Sequence, residues 1–502
     1  MRRREFLKHG ALAGTGLALA RCRQRRRRPN ILFCISDDQS YPHAGAYEPG
    51  FVKTPGFDRV AREGVLFRNA FVSTPSCCPS RGSVLTGQDF YRLREASMNH
   101  TVWPGGLEVY PDILAGAGYH TGFTGKGWGP GNWKISGRET SPAGPAYNEI
   151  TLKPPGNHLS NIDYTSNFQA FLKQRPAGAP FCFWIGFSEP HREFEPGIGA
   201  RYGARLEDVR VPAFLPDVET VRSDLADYAF EIGYYDSHLA RILMAVEEAG
   251  ELRNTLIVVT ADNGMAFPRA KATLYDAGAR VPLALRWGAR IRPGRVVEDF
   301  VSFTDFAPTF LEAAGIPLPP GITGRSLLPV LEATESGQVD PSRDYVVTGL
   351  ERHFPGSRPR GAGYPMRAIR TRDYLFIRNL ASDRNPVGDR PGPVWPAGDP
   401  TGGFGDTDGS PTKTVLWENR EKYPELARLA FGKRSAEELY GIVDDPANVR
   451  NLAEDPAHQE AKQNLARRLD EHLARTGDPR ATGKGDLFEQ IWERYPVLGS
   501  NT

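Results

Sequence analysis

The sequence predicts an α/β protein in which a large central mixed sheet is flanked by helices and followed by a smaller C-terminal α+β domain. Three observations lead there. Short runs that are apolar at nearly every position, 30–36, 180–187 and 255–260, have the length and flavour of strands buried on both faces. Helical patterns lie between them at 55–63, 81–85, 110–118 and 223–249, the last carrying Leu225, Tyr228, Ile232, Tyr235, Leu239 and Leu243 at three-to-four spacing. From about Tyr364 the style changes: 368–378 reads as a β-hairpin turning at Thr371-Arg372-Asp373, a Gly/Asp/Pro-rich stretch covers 382–412, and a closing helix lies near 461–475. The chain therefore divides into a leader at 1–28, a main domain at 29–360 and a smaller antiparallel domain at 361–502.

The leader comes first in the chain. It has a charged head containing Arg3-Arg4-Glu5-Phe6-Leu7-Lys8, an apolar stretch from Gly10 to Ala20 too short to span a bilayer, and a small-x-small cleavage pattern at Ala18-Leu19-Ala20. This looks like a signal for the twin-arginine translocase, which carries folded protein, so maturation is expected before export to the periplasm or beyond. Cys22 is a weak site for lipid anchoring because Arg21 precedes it.

Composition narrows the body. With 40% hydrophobic and 24% charged residues, the chain is neither disordered nor collagen-like nor a polytopic membrane protein. Lys plus Arg number 62 against 60 Asp plus Glu, and the dense basic run lies in the leader, so no nucleic-acid partner is expected. Five cysteines are too few for a disulfide scaffold.

The chemistry sits where the apolar runs stop. The first ends at Asp37-Asp38, the second at Glu189-Pro190-His191, the third at Asp262-Asn263, and in α/β sheets ligands bind beyond the carboxyl ends of the strands. Either acidic pair alone reads as a turn. Both together, after matching runs, point to a hard divalent cation, calcium in preference to a thiophilic metal. Cys77 precedes Pro79, which suits a first helical turn, so Cys77 should lie at a helix N-terminus where an anion is favoured. A bridge between adjacent Cys77 and Cys78 is disfavoured, and a low-pKa thiolate nucleophile is the plain alternative.

Cys77-Cys78-Pro79-Ser80-Arg81 with Leu85-Thr86-Gly87 resembles, letter for letter, the signature of the type I, formylglycine-dependent sulfatases. Glu189-Pro190-His191-Arg192, Asp262-Asn263-Gly264 with Phe267-Pro268, Tyr364-Pro365-Met366-Arg367 and Glu438-Leu439-Tyr440 resemble its heparan N-sulfatase (sulfamidase) branch. The resemblance implies an alkaline-phosphatase-like fold and hydrolysis of O- or N-sulfate from a sulfated carbohydrate such as a glycosaminoglycan. It implies that a formylglycine-generating enzyme oxidises Cys77, and that the modified residue joins Asp37, Asp38, Asp262 and Asn263 around calcium. Asp262 would help deprotonate the attacking hydroxyl, and Arg81 would hold the cluster. Lys126 and Lys271 would neutralise sulfate oxygens, and His191 would protonate the leaving group. His100, Arg192, Glu351, His353 and Arg367 are the candidates for meeting the sugar, although solvated loop positions describe Glu351, His353 and Arg367 as well. The chain departs from the family at Trp128, where many members carry a histidine; either His100 or His43 takes that base's place or turnover depends on a different proton route. Lys271 stands where the sulfamidase branch has arginine, which leaves N- versus O-linkage open. Two rivals remain: a phosphodiesterase or phosphonate hydrolase on the same scaffold, and a non-catalytic binder of sulfated glycans.

Overall fold

The structure, a computed structural model, describes residues 27–48 and 50–495. The twin-arginine segment and Cys22 lie outside the described residues.

Seven strands form the large sheet: β1 Asn30–Ser36, β2 Val65–Phe71, β3 His120–Gly125, β4 Phe181–Gly186, β5 Thr255–Ala261, β6 Arg280–Arg286 and β7 Arg295–Ser302. Their order is β3-β4-β1-β5-β6-β2-β7; the first four are parallel, and β6 runs antiparallel to both its neighbours. The apolar runs sort by period two onto two faces. Ile31, Phe33 and Ile35 face one core with Val258 and Trp184, while Leu32 and Cys34 face the other with Val259 and Phe183. The first core is closed by the helices Cys77–Thr86, Tyr110–Gly116 and Phe306–Ala313. The second is closed by Pro55–Arg62, Tyr164–Gln174 and the long helix Glu219–Glu248.

A second, antiparallel sheet holds β8 Tyr345–Leu350, β9 Met366–Thr371, β10 Tyr374–Asn379 and β11 Glu437–Gly441 in the order β11-β10-β9-β8. The predicted hairpin is β9–β10, turning at the expected residues. The predicted closing helix runs Gln459–Thr476, and a further helix, Asp486–Arg494, follows it. Both cover one face of this sheet through Leu465, Leu469, Phe488 and Trp492. The other face rests on Leu274 and Tyr275 of the main body, just beyond Lys271.

Candidate active site

Strand register builds the site. β1 and β5 pair in parallel with Ser36 beside Ala261, so the next residues, Asp37 and Asp262, emerge side by side. β4 lies on the other side of β1, and β3 beside β4 with Gly125 opposite Gly186; Lys126 leaves β3 at the same edge. Here glycine is required: a Cβ on Gly186 would lie 1.7 Å from the carbonyl oxygen of Lys126. Four adjacent strand ends thus deliver Lys126, the loop to His191, Asp37-Asp38 and Asp262-Asn263 to one crevice.

The helix Cys77–Thr86 brings the fifth component. Ser76 caps it in extended conformation, and Gly87 ends it in the left-handed region at φ 69°. Ser80 Oγ donates to the Asp262 carbonyl at 2.6 Å, and fully buried Arg81 donates through Nε to Asp262 Oδ2 at 2.8 Å and through Nη1 to the Lys126 carbonyl at 2.7 Å. These bonds aim Cys77 into the crevice, its Sγ 3.4 Å from Asp37 Oδ1.

Ligand atoms of Asp37, Asp38, Cys77 and Asp262 all lie within 4.8 Å of one another. Lys126 Nζ pairs with Asp37 Oδ2. Lys271 Nζ pairs with Asp38 Oδ2 at 2.6 Å and Asp408 Oδ2 at 3.2 Å, and lies 3.3 Å from His191 Nε2. Asp38 adopts a left-handed φ of 71°, its N–H donated to Asp262 Oδ1 at 3.1 Å, so the turn that presents it is held by the site itself. Burial raises the carboxyls of Asp38 and Asp262, each to about 6; Asp37 adds to this in both, while Lys271 beside Asp38 and Arg81 beside Asp262 oppose it. Burial also opposes ionisation of Asp37, yet Lys126, His191 and Arg81 hold its carboxyl well below the usual range.

A hard divalent cation fits this donor set. Asn263 donates to Asp38 through Nδ2, while its Oδ1 is buried without a hydrogen-bond partner, an acceptor awaiting a positive ligand. The thiol reading of Cys77 fares less well. Despite the helix N-terminus, burial first and the Asp37 carboxylate next push its pKa well above the ordinary value. Desolvation and a neighbouring anion outweigh a dipole effect of about 1 kcal/mol.

The remaining sequence candidates divide. His353 lies beside the helix start, its Nδ1 2.9 Å from Ser76 Oγ, and His100 packs nearby against Phe354. His191 rests on Trp395 with ring centres 5.7 Å apart, and its Nδ1 contacts the Arg192 carbonyl at 2.6 Å. His43 is engaged elsewhere, with Tyr228. Two expectations need correction. Arg192 is buried in a bidentate pair with Asp224 between the rings of Phe194 and Phe267, and so is committed to packing. Arg367 and Glu351 are neither solvated nor free for a sugar: Arg367 bridges Glu351 and Asp478, and Arg480 closes the network on Glu351. Trp128 is core, edge-on to Trp103. Sequence reasoning missed Asp408 and Trp395, which enter from the 382–412 stretch; nothing separates Asp408 from the other aspartates there.

A buried carboxylate–amide cluster at the strand ends, three cations and Cys77 at a helix start form a site suited to an anionic ester, on an alkaline-phosphatase-like fold. Comparison with known proteins gives the family. Residues 29–316 match the Sulfatase family model, and 269–381 match that of the N-sulphoglucosamine sulphohydrolase C-terminal region. The chain belongs to the sulfatase family and is a sulfuric ester hydrolase. It is 30% identical to human N-sulphoglucosamine sulphohydrolase, over 94% of this chain and 95% of that protein. The fold is similar to that of BT4656, solved in complex with its substrate D-glucosamine-2-N,6-O-disulfate (TM-score 0.65, 20% identity, 92% and 100% of the two chains). It is also similar to phosphonate monoester hydrolase of Agrobacterium radiobacter (TM-score 0.63, 18% identity, 89% and 96%).

Proposed function

We propose that this protein removes a sulfo group, N-linked or O-linked, from a sulfated amino sugar such as a glycosaminoglycan unit, with Cys77 matured to formylglycine and one calcium ion as cofactor. One observation carries the reading: two carboxylate motifs and the Cys77 helix start converge on a buried cluster with an unpaired Asn263 acceptor and three flanking cations. Asp37, Asp38, Asp262 and Asn263 would hold the ion, with residue 77 beside them. When present, the ion supplies Lewis-acid polarisation of a sulfate oxygen, and the hydrated aldehyde supplies the oxygen nucleophile for sulfur.

The chain's own groups complete the site. Asp262, raised by burial, is suited to take the proton of the attacking hydroxyl. Arg81 fixes Asp262 and the Lys126 backbone together, so base and cation keep their spacing. Lys126 and Lys271, now paired with Asp37 and Asp38, are placed to share their charge with sulfate oxygens. With Nδ1 donating to the Arg192 carbonyl, the one acceptor nitrogen of His191 is Nε2, which accepts from Lys271 at 3.3 Å. His191 would protonate the leaving group through Nε2 with a proton taken from solvent, while Lys271 keeps its charge for the sulfate oxygens.

Export through the twin-arginine translocase, after maturation by a formylglycine-generating enzyme, belongs to the same proposal and rests on Arg3-Arg4 and the apolar stretch behind it. No helix among the described residues is long and apolar enough to cross a membrane.

The test is sulfate release from defined heparin, chondroitin and fucan oligosaccharides, with mass spectrometry of the 76–81 peptide. Expected are release from at least one sugar, an aldehyde at residue 77, and loss of activity in chelator restored by calcium. An unmodified thiol in protein from the native host favours the glycan-binder reading. Faster hydrolysis of phosphate diesters or phosphonate esters than of any sulfate favours phosphoryl transfer.

A further inference from the structure

The desulfation reading leaves one carboxylate without a task. Asp408 comes from the 382–412 stretch and not from a strand end, and it completes the set of three groups around Lys271 Nζ, with Asp38 and His191. Asp38 belongs to the cation cluster, whereas Asp408 stands on the side of His191 and His353. Burial opposes its ionisation, but Lys271, His191 and His353 hold its carboxyl down at about 2.

The loop fixes Asp408 in place. Lys413, fully buried, donates to Asp399 Oδ2 at 2.8 Å and to the carbonyls of Gly403, Phe404 and Thr407 at 3.1, 3.3 and 2.8 Å. Asp406 accepts from Phe354 N at 2.9 Å and Ser357 Oγ at 3.0 Å. Gly409 N donates to the Trp395 carbonyl at 2.7 Å, tying Asp408 to the tryptophan whose half-exposed ring stands over His191. The crevice mouth thus offers an aromatic face beside a rigid anion.

An ionised carboxylate only accepts hydrogen bonds. A substrate group meeting Asp408 must donate, and a second anion there is repelled in a water-poor pocket. We infer that Asp408 sets the specificity of this site: it accepts a hydrogen bond from a hydroxyl or ammonium vicinal to the scissile sulfo group and rejects sugars bearing a second sulfate at that position. This rests on the desulfation reading, but its test can be separated from it.

Two probes suffice, glucosamine N-sulfate and glucosamine N,3-O-disulfate. Sulfate release gives kcat/KM for each with the wild type and Asp408→Asn. Calorimetry on the full-length Cys77→Ala and Cys77→Ala/Asp408→Asn proteins gives the two affinities without turnover. The wild type should favour the singly sulfated sugar by about tenfold or more, and Asp408→Asn should shrink that ratio by about tenfold, mainly through gain on the disulfate. Asp408→Ser repeats the comparison if the amide variant folds poorly. Equal losses on both sugars with an unchanged ratio overturn the inference, leaving Asp408 as a brace for Lys271. If the wild type cleaves neither sugar, N-linked cleavage falls while the calorimetric ratio still decides on Asp408; binding of neither sugar overturns the inference, and the oligosaccharide screen decides separately on the activity.

Discussion

Replacing Arg81 with methionine probes how the site is held together. The side chain is fully buried and donates to Asp262 Oδ2 at 2.8 Å and to two carbonyls, Lys126 at 2.7 Å and Gly127 at 3.2 Å, with Nη2 4.0 Å from Asp37 Oδ1. Methionine fills much of the volume but leaves Asp262 without its charged partner. Breaking a buried pair from one side costs about 3–5 kcal/mol, and the two carbonyls lose net bonds worth roughly 1 kcal/mol each. Relaxation of the Gly-rich 125–129 segment recovers part of this, so a net loss of about 4 kcal/mol is expected. At roughly 2–4 °C per kcal/mol for a large domain, melting should fall by about 8–16 °C in chelator. Calcium supplies positive charge to the same carboxylate, so saturating calcium should recover about half of the drop. The assay is differential scanning calorimetry of wild type and Arg81→Met with and without calcium. A loss under about 1 kcal/mol in chelator, or the same loss in both media, refutes the account of Arg81 as the counter-charge of Asp262.

Cys77→Ala should abolish sulfate release while moving the melting temperature by less than about 3 °C, since a buried thiol becomes a small methyl side chain beside polar groups; calorimetry and ion chromatography check both halves. Trp128→His should not raise activity toward the pattern seen in other family members. The ring packs against Trp103 in the core, so the swap is expected to cost about 2–4 kcal/mol in denaturant titration. Acid stability should depend on Asp276, which ties β9 to the main body through a bidentate pair with Arg370 at 2.9 Å. Burial raises its carboxyl, but Arg370 and Arg280 more than offset this and hold it below the usual value. Its folded pKa is therefore depressed, so its contribution is present above about pH 4 and is lost as pH falls through the folded value. Asp276→Asn should lower stability at pH 7 and flatten the wild type's decline below pH 4, and equal acid slopes in the two proteins would contradict this.

What could be read in the sequence follows from how local each signal is. Asp37-Asp38 and Asp262-Asn263 were legible because each follows a run buried on both faces, and parallel register then makes neighbours of them without further assumption. Cys77 was legible from helix-start chemistry, but Lys126 and Lys271 stood out only through family resemblance, since an isolated lysine carries no spacing signal. β2 escaped notice because Arg68 and Asn69 interrupt its apolar pattern where the register shifts between Phe67 and Ala70, so it shows neither alternation nor an unbroken run. The Asp486–Arg494 helix is two and a half turns long and gains its stability from packing on the small sheet rather than from its own residues. Long-range charge pairing was the least visible feature of all. Arg367 meets Asp478 from 111 residues away and Glu351 meets Arg480 from 129, so each looks like a solvated loop charge until the fold supplies its partner. Asp408 follows the same logic inside the active site: a carboxylate in a Gly/Asp-rich stretch acquires meaning only when Lys413 and Asp406 fold that stretch against Lys271. The strand ends therefore bring together the buried carboxylate cluster, while Asp408, the proposed determinant of sugar choice, sits on a loop whose shape depends on contacts far away in the sequence.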